Sequence, residues 1–152
     1  MTTLNPELDS IYNFLKLTER ISTGGQPTEE QFKVISASGF EVVINLALST
    51  SDSALADEGQ IVVKSGMIYE HIPVIWEAPT QNDLARFLQV MSMYEHKKLF
   101  VHCAANMRVS AFMAIYRVLV LKWNYQDTLI DLHKIWQPNS IWQLWIEQAL
   151  NQ

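Results

Sequence analysis

The pattern of hydrophobic and polar positions alternates between short runs rich in β-branched or aromatic residues and longer stretches with helical spacing. Three of the short runs predict strands: residues 41 to 46, 67 to 72 and 98 to 102. Gly39 and Gly66 stand just before the first two, and glycine at such a place ends a preceding helix. Pro73 ends the second run. The pattern therefore predicts three strands, each preceded by a helix.

The stretches with helical spacing predict six helices. The first begins with Thr28-Glu29-Glu30-Gln31, which has the spacing of a capping box. Thr80 begins another, in which apolar residues recur at intervals of three and four. The predicted ranges are residues 28 to 38, 54 to 65, 80 to 94, 109 to 122, 126 to 136 and 139 to 150, together with a weak edge strand over 17 to 22. The helix from 109 is apolar nearly all round, so we expect it to be central.

Strands that alternate with helices predict parallel crossover connections. The expected fold class is α/β, with a small, mostly parallel twisted sheet flanked by helices. No repeat, linker or low-complexity tract divides the chain, so we expect residues 1 to 152 to form one domain. In such folds the functional site lies at the carboxyl ends of the strands.

Composition and charge narrow the classes of function. The net charge of −5 and the pI near 5.3 argue against general affinity for nucleic acid or an anionic membrane. No stretch approaches the roughly 20 apolar residues that span a bilayer, and the N-terminus lacks a signal-peptide pattern. The one cysteine excludes an intramolecular disulfide, and His71, His96 and His133 lie on separate elements, which disfavours a metal site. We expect a cytoplasmic protein that uses no cofactor.

The segment from His102 to Arg108 carries the candidate chemistry. It joins a predicted buried strand to a predicted buried helix, where free backbone N–H groups and the helix dipole attract anions. The same positive charges favour the thiolate form of Cys103, which is the nucleophilic form. Arg108 offers a bidentate fork for two phosphoryl oxygens. The alternative is that Cys103 is a small buried hydrophobe and Arg108 a surface residue, and the strand-to-helix position favours the functional interpretation.

This segment resembles the signature of protein tyrosine and dual-specificity phosphatases, in which His-Cys is followed by a short loop, an arginine and a hydroxyl residue. Those enzymes place five residues between cysteine and arginine, whereas four stand here: Ala104, Ala105, Asn106 and Met107. Asn106 takes the place of the usual loop glycine, and asparagine tolerates the left-handed conformation well. The resemblance implies that the loop binds the anion, that His102 orients it, and that Ser110 assists the leaving group, although Val109 intervenes. A buried core histidine is the alternative for His102.

A second resemblance extends over about residues 20 to 120. It rests on Gly24-Gly25-Gln26-Pro27-Thr28, on residues 39 to 46, on residues 69 to 74 and on the cysteine loop. This order is similar to a bacterial phosphatase-like family that is also found fused to beta-lactamase-like hydrolases. The resemblance implies a dual-specificity-phosphatase-like fold. Members have been regarded both as phosphatases and as sulfur-handling proteins, so the reaction stays open.

Cleavage of a phosphate ester also needs an acid that protonates the leaving oxygen. In related phosphatases an aspartate supplies it from the loop after the strand that ends Ile-Pro-Val. Here that loop contains Trp76 and Glu77, and Glu77 is the nearest carboxylate. Asp52, Asp57 and Glu58, after the first strand, are the other candidates, and absence of an acid is a further alternative. Trp76 would contact substrate as an aromatic wall, whereas Trp136, Trp142 and Trp145 have the helical spacing typical of a core.

Three functions are compatible with these residues. The first is a cysteine-dependent phosphatase that hydrolyses phosphomonoesters through a thiophosphoryl-enzyme intermediate. The second is a rhodanese-like sulfurtransferase with a Cys103 persulfide, and the third is a catalytically weak oxyanion-binding protein. For the first, the partner is a phosphorylated substrate, either protein or small molecule. The sequence leaves both that choice and the oligomeric state open.

Overall fold

The computed structural model describes residues 6–151, and within them a five-stranded sheet is packed between helices. The elements in chain order are α1 (Pro6–Asp9), β1 (Leu15–Lys16), β2 (Ile21–Gly24), α2 (Glu29–Ala37), β3 (Val42–Asn45), α3 (Glu58–Lys64), β4 (Ile68–His71), α4 (Gln81–Met93), β5 (Leu99–His102), α5 (Met107–Leu119), α6 (Tyr125–Ile135) and α7 (Ser140–Leu150). The strand order is β1-β2-β5-β3-β4. Only β1 is antiparallel to its neighbour among these strands, so the predicted mostly parallel α/β sheet is confirmed.

The predicted strands correspond to β3, β4 and β5, each slightly shorter than expected. The edge strand predicted over residues 17 to 22 is wrong. The hydroxyl of Thr18 accepts hydrogen bonds from the backbone N–H groups of Arg20 and Ile21, and this turn divides the segment. As a result β2 begins only at Ile21 and lies inside the sheet, whereas the two-residue β1 forms the edge.

The helices begin where their capping residues stand. Thr28 and Thr80 each form a complete capping box, which starts α2 and α4 as predicted. The helix expected from residue 54 begins only at Glu58, after a run of turns. The helix expected from residue 109 begins two residues earlier, at Met107, and ends at Leu119, shortly before Lys122 with its positive φ of 63°. It is buried along most of its length, which confirms its central position.

Two hydrophobic clusters cover the two faces of the sheet. One packs the sheet against α4, α5 and α7 and includes the buried Trp142 and Trp145, as expected for core tryptophans. The other packs α2 and α3 against the opposite face through residues such as Phe32 and Phe100. None of the helices in residues 6–151 is long and apolar enough to span a bilayer. This two-sided packing leaves the carboxyl edge of the parallel strands as the place where loops meet.

Candidate active site

The carboxyl ends of three neighbouring strands meet at one level of the sheet. Gly24 of β2 and Asn45 of β3 are both paired in register with His102, the last residue of β5. Cys103 follows directly and its N–H donates to the carbonyl of Gly24 at 3.3 Å. Its exposed fraction is 1%. The sequence-predicted nucleophile therefore lies at the predicted edge of the sheet, at the base of a loop.

The loop passes into α5 through a left-handed residue. Asn106 is the N-cap, with φ 65° and ψ 2°, the conformation that sequence analysis expected there. No side chain in the described part of the chain caps this helix end. The N–H groups of Met107, Arg108 and Val109 have no acceptor within the helix, because the first turn of an α-helix offers none. These groups and the helix dipole make the loop a suitable site for an anion.

Arg108 lies in the first turn of α5 and is 7% exposed. Its Nη1 donates to the carbonyl oxygen of Val74 at 2.9 Å, which is its one hydrogen-bond acceptor among residues 6–151. A guanidinium has five N–H donors, so four donors of Arg108 remain available to bind an anion. The Arg108 guanidinium carbon is 6.0 Å from the centre of the Trp76 ring. Arg108 therefore connects the cysteine loop to the segment that follows β4.

That segment is fixed by tryptophans. The Trp76 ring lies 5.2 Å from Trp136 and 5.8 Å from Trp142, and its carbonyl accepts a hydrogen bond from Trp142 Nε1 at 2.9 Å. Glu77 comes next and is exposed in the turn. The structure thus brings Arg108 close to Trp76, which directly precedes Glu77 in the chain, while the roles of Trp76 and Glu77 at the site stay predictions. Trp76 itself is partly buried in the aromatic cluster.

The N-terminal segment around Asn13 is hydrogen-bonded to the loop, a contact that the sequence analysis did not predict. Asn106 Nδ2 donates to the carbonyl of Asn13 at 2.9 Å and to Thr23 Oγ1 at 3.0 Å. In return, Asn13 Nδ2 donates to the carbonyl of Ala105 at 3.0 Å. Asn13 is itself left-handed, with φ 51°. We call this reciprocal pair the Asn13–Asn106 clamp. No local pattern could have indicated it, since its members are far apart in the sequence.

The glycine pair before Gln26 has a steric explanation. A Cβ at Gly25 would lie 2.7 Å from the carbonyl oxygen of Ala104 and 2.8 Å from the Tyr12 ring, closer than packed atoms approach. Next to it, the N–H of Gln26 donates to the same Ala104 carbonyl at 3.0 Å. The Gly24-Gly25-Gln26 segment therefore packs directly against the loop, which connects this part of the sequence resemblance to the site.

Beneath the loop lies a buried pair formed by His102 and Glu58. His102 is 0% exposed and Glu58 5%. His102 Nε2 is 2.7 Å from Glu58 Oε2, and His102 Nδ1 is 3.2 Å from the carbonyl oxygen of Cys103. Gln26 Nε2 donates to the other oxygen of Glu58 at 2.7 Å. His102 is thus a fully buried histidine that contacts the first residue of the loop, and its role in orienting the loop stays a prediction.

The environment of Glu58 corrects one sequence hypothesis. Burial alone would raise the pKa of this carboxyl, but hydrogen bonds and the charge of His102, together with bonds from Gln26 and Tyr69, lower the pKa below its ordinary value. A buried, paired carboxylate with a lowered pKa is a poor proton donor. Glu58, one of the acid candidates, is therefore committed to His102, whereas Asp52 and Asp57 are exposed between β3 and α3.

Ser110 makes contacts that differ from those implied by the phosphatase signature. Its hydroxyl donates to the carbonyl of Met107 at 2.8 Å and accepts from Trp136 Nε1 at 3.0 Å. Two residues along an α-helix rotate a side chain by about 200°, so Ser110 projects from a different side of α5 than Arg108. In this conformation the hydroxyl has no hydrogen left for an anion or a leaving group. We therefore correct the expectation that Ser110 contributes to the anion site.

Within the described part of the chain, no group of three histidine, cysteine or carboxylate residues is placed to hold a metal ion. His71 instead contacts the carbonyl of Ala47 through Nε2 at 2.7 Å. His96 is exposed beside Glu95.

Comparison with solved structures identifies the class of fold. Tk-PTP in its active form aligns over 92% of this chain and 97% of its own, with a TM-score of 0.78 and 16% identity. TpbA of P. aeruginosa, solved in complex with pTyr, aligns over 87% of this chain and 76% of its own, with a TM-score of 0.66 and 15% identity. At such identities the likeness concerns the fold alone. The fold is that of the dual-specificity phosphatases.

The family follows from closer matches. A family model described as a DSP-PTPase phosphatase fused to NAD+ kinase matches residues 10–141, and the chain belongs to this family. A DUF442 protein from Shewanella putrefaciens CN-32, described as a candidate phosphatase, is 31% identical, with a TM-score of 0.86 over 96% of both chains. The family and its structural relatives are of the phosphatase type.

Curated relatives are much longer proteins. The beta-lactamase hydrolase-like protein of Agrobacterium fabrum is 30% identical over 97 residues, which are 62% of this chain and 22% of that protein. The protein of the same name from Xylella fastidiosa Temecula1 is 26% identical over 106 residues, 68% of this chain and 24% of its own. The chain thus spans about a quarter or less of these relatives, in agreement with the resemblance stated from the sequence.

Proposed function

We propose that this chain is a cysteine-dependent phosphatase that hydrolyses phosphomonoesters. The observation that carries the proposal is the placement of Cys103 at the base of a loop whose other end is the uncapped N-terminus of α5 with Arg108 in its first turn. This arrangement brings a thiol, backbone donors and a guanidinium to the two ends of one short loop. The phosphatase family of the chain supports the same reaction.

In the proposed reaction the Cys103 thiolate attacks phosphorus and the bond from phosphorus to the leaving oxygen breaks. The loop N–H groups and the free donors of Arg108 stabilise the charge on the three non-bridging oxygens. Water then attacks the thiophosphoryl group, which releases phosphate and restores the thiolate. Because one donor of Arg108 stays on Val74, the guanidinium is held in a fixed orientation while it binds the anion.

We propose Glu77 as the acid that protonates the leaving oxygen. It is exposed to solvent, and it follows Trp76, whose ring lies near Arg108. Glu58 is excluded from this role by its bonds to His102 and Gln26. Trp142 Nε1 donates to the carbonyl of Trp76, and this bond anchors the backbone directly before Glu77.

The substrate in this proposal is a phosphorylated molecule, protein or small. A reducing compartment such as the cytoplasm suits the mechanism, because Cys103 must stay a free thiol.

A sulfurtransferase reaction is the second candidate, and the four-residue spacing between Cys103 and Arg108 favours it. A loop shorter by one residue has one fewer amide to direct at a tetrahedral anion, and a persulfide needs less room than a phosphoryl group. The left-handed Asn106 offsets this loss by reversing the chain before α5, so that the N–H groups of the first turn are left without internal acceptors.

One preparation tests both reactions. We expect release of phosphate from p-nitrophenyl phosphate, competitive inhibition by vanadate, and little thiocyanate from thiosulfate and cyanide. Cys103→Ser should abolish turnover and retain vanadate binding, because serine keeps the loop but supplies no thiolate. Arg108→Ala should lose both turnover and vanadate binding, because the main charge partner of the phosphoryl oxygens is gone.

Wild-type turnover in either variant would contradict the assignment. Cysteine-dependent thiocyanate formation without phosphate release would establish the sulfurtransferase instead, and phosphate binding without either reaction would establish an anion-binding protein. Glu30→Gln, which changes an exposed carboxylate on α2, serves as the control that should behave as wild type.

A further inference from the structure

The His102 ring lies between two hydrogen-bond acceptors. Nδ1 is 3.2 Å from the carbonyl oxygen of Cys103, and Nε2 is 2.7 Å from a carboxylate oxygen of Glu58. A carbonyl accepts only, and so does an ionised carboxylate, so each contact requires a hydrogen on the ring nitrogen. A neutral imidazole carries one such hydrogen and satisfies one contact. The geometry therefore fits a ring with hydrogens on both nitrogens, paired with an ionised Glu58.

The surroundings of Glu58 support its ionised form. Gln26 Nε2 donates to Oε1 at 2.7 Å, and Tyr69 is a neighbour that helps to lower the pKa of this carboxyl. Tyr69 in turn accepts from Asn45 Nδ2 at 3.0 Å, so its hydrogen remains free for Glu58. Burial raises the pKa of Glu58, but the hydrogen bond and charge of His102, followed by Gln26 and Tyr69, lower the pKa below its ordinary value.

We propose that Glu58 is a positioning residue for Cys103 that acts through His102, holding the ring so that it donates to the Cys103 carbonyl and presents a positive charge beneath the thiolate. The inference rests on the proposed role of Cys103 as nucleophile. It assigns a function to a carboxylate that touches neither the nucleophile nor the anion position.

Gln26 links this pair to the loop a second time. Its side chain binds Glu58 and its backbone N–H donates to the Ala104 carbonyl. Two successive carbonyls of the loop, those of Cys103 and Ala104, are therefore both held by donors from the same group of residues. These two bonds fix the backbone of the loop at the residues that follow His102.

The remaining groups around the ring do not supply a competing charge. The ring of Phe32, on α2, meets the His102 ring edge-on, with 5.9 Å between the ring centroids. The centroid of the Phe100 ring, on β5, lies 6.2 Å from that of His102. Among residues 6–151, the ionisable side chains recorded next to the pair are Tyr69 of β4 and that of Cys103. Burial raises the pKa of Tyr69, and the neighbouring Glu58 contributes further, so this phenol stays neutral across the working pH range. Glu58 is thus the anion that balances the ring.

Nitrogen NMR on the wild-type protein tests the charge state directly. The chain has four histidines, and the His102 signals are assigned by their loss in His102→Asn. We expect both ring nitrogens of His102 to carry hydrogens at pH 7. A ring with one hydrogen at this pH would overturn the proposal, and this measurement needs no Glu58 variant to fold.

Alkylation of Cys103 by iodoacetamide tests the effect on the nucleophile. Glu58→Gln keeps the shape of the side chain and removes its charge, and the pH of half-maximal alkylation should rise by about one unit. The acid limb of the kcat/KM profile should move with it, since one unit corresponds to about tenfold less thiolate below that pH. In Glu58→Asp, which keeps the charge, the pH of half-maximal alkylation should lie between those of wild type and Glu58→Gln. In Gln26→Met this pH should rise less than in Glu58→Gln.

Glu70→Gln is the matched control, because it removes a carboxylate that also has a hydrogen-bonded partner, Tyr94, but no contact with the loop. Glu70→Gln should change neither the pH dependence of alkylation nor the pH profile of kcat/KM. An alkylation curve unchanged in both Glu58→Gln and Gln26→Met would refute the positioning role even if the enzyme is active. Conversely, wild-type protein without Cys103-dependent phosphate release would refute the proposed function, while the ring and alkylation measurements would still decide whether Glu58 acts on His102.

Discussion

Glu58 and Glu77 are similar side chains in opposite environments. Glu58 is the first residue of α3, and its carboxylate turns inward to His102 and Gln26. Glu77 is exposed in the turn beyond Trp76. A proton donor must reach the leaving oxygen and exchange its proton with solvent, whereas a positioning carboxylate must stay ionised and fixed. The two environments therefore suit two different tasks.

Glu77→Gln tests the role of the proposed acid. We expect hydrolysis of an alkyl phosphate to slow by about 10²-fold or more, because its poor leaving group needs protonation. Hydrolysis of p-nitrophenyl phosphate should change little, since nitrophenolate leaves without a proton. Steady-state kinetics with both substrates gives the comparison.

Asp52→Asn and Asp57→Asn are the companion variants, and neither should discriminate between the two substrates. Equal losses on both substrates for Glu77→Gln would move the acid elsewhere, and selective loss in one of the aspartate variants would identify it.

The placement of single residues was predictable where a local pattern carries it. The turn from strand to helix around Cys103 and Arg108 can be read from adjacent residues, and the preference of asparagine for positive φ indicated Asn106. The pairing of Glu58 with His102 crosses 44 residues, and the bond from Asn13 to Ala105 crosses 92. No spacing rule links such positions, so Glu58 was only one of several loop carboxylates and Asn13 was not considered.

At the scale of elements, the start of α5 determines the shape of the proposed anion site. Its N-cap, Asn106, is left-handed, and its side chain bonds to Asn13 and Thr23 rather than to the first turn. The side chain therefore fixes the loop from behind, and the N–H groups of α5 remain uncapped. A serine or aspartate cap at this point would occupy the donors that the anion needs.

Substitutions at Asn106 separate backbone strain from side-chain bonding. Asn106→Ala loses both hydrogen bonds and also places an alanine at φ 65°, which costs about 1–2 kcal/mol by itself. Asn106→Gly loses the same bonds without the strain. We expect both variants to unfold at lower urea concentration, with the alanine variant the less stable, and both to bind vanadate more weakly. Greater stability of Asn106→Ala than of Asn106→Gly would contradict the left-handed geometry.

The strands and helices themselves were largely predictable from periodicity and capping residues, because burial of one face repeats along each element. The exceptions are short. The two residues of β1 and the four of α1 contain too few positions for a period to show. At residues 17 to 22, the Thr18 hydroxyl replaces strand pairing with a turn, an interaction that apolar patterning does not report.

For the whole molecule, the buried pair makes stability depend on pH. The pKa of Glu58 is lower in the folded protein than the ordinary value of about 4.3. Its stabilising contribution is therefore fully present above that value and is lost as pH falls through the folded pKa. We expect the difference in free energy of unfolding between wild type and Glu58→Gln to be largest near neutral pH and to shrink below about pH 4. Urea unfolding at several pH values measures it.

Asp131 follows the same sign. Burial raises the pKa of this carboxyl, but Arg117 and Lys134 lower the pKa by more than burial raises it. The contribution of Asp131 to the free energy of unfolding is therefore also lost in acid. It is present in both proteins compared above and cancels from their difference. A stability difference that grows as pH falls would contradict the ionised state of Glu58.

The Asn13–Asn106 clamp has a consequence for the order in which the molecule folds. It joins positions about 90 residues apart, and closing so long a segment costs chain entropy that must be met before the contact stabilises anything. The residues next to Asn13 form only a two-residue edge strand, the kind of region that opens at low free energy. We therefore expect the loop that holds Cys103 to acquire its final form only after the segment around Asn13 has packed against it. In a nascent or partly unfolded chain the thiol would lie in an unshaped loop, so competence for the proposed reaction would report the completion of folding.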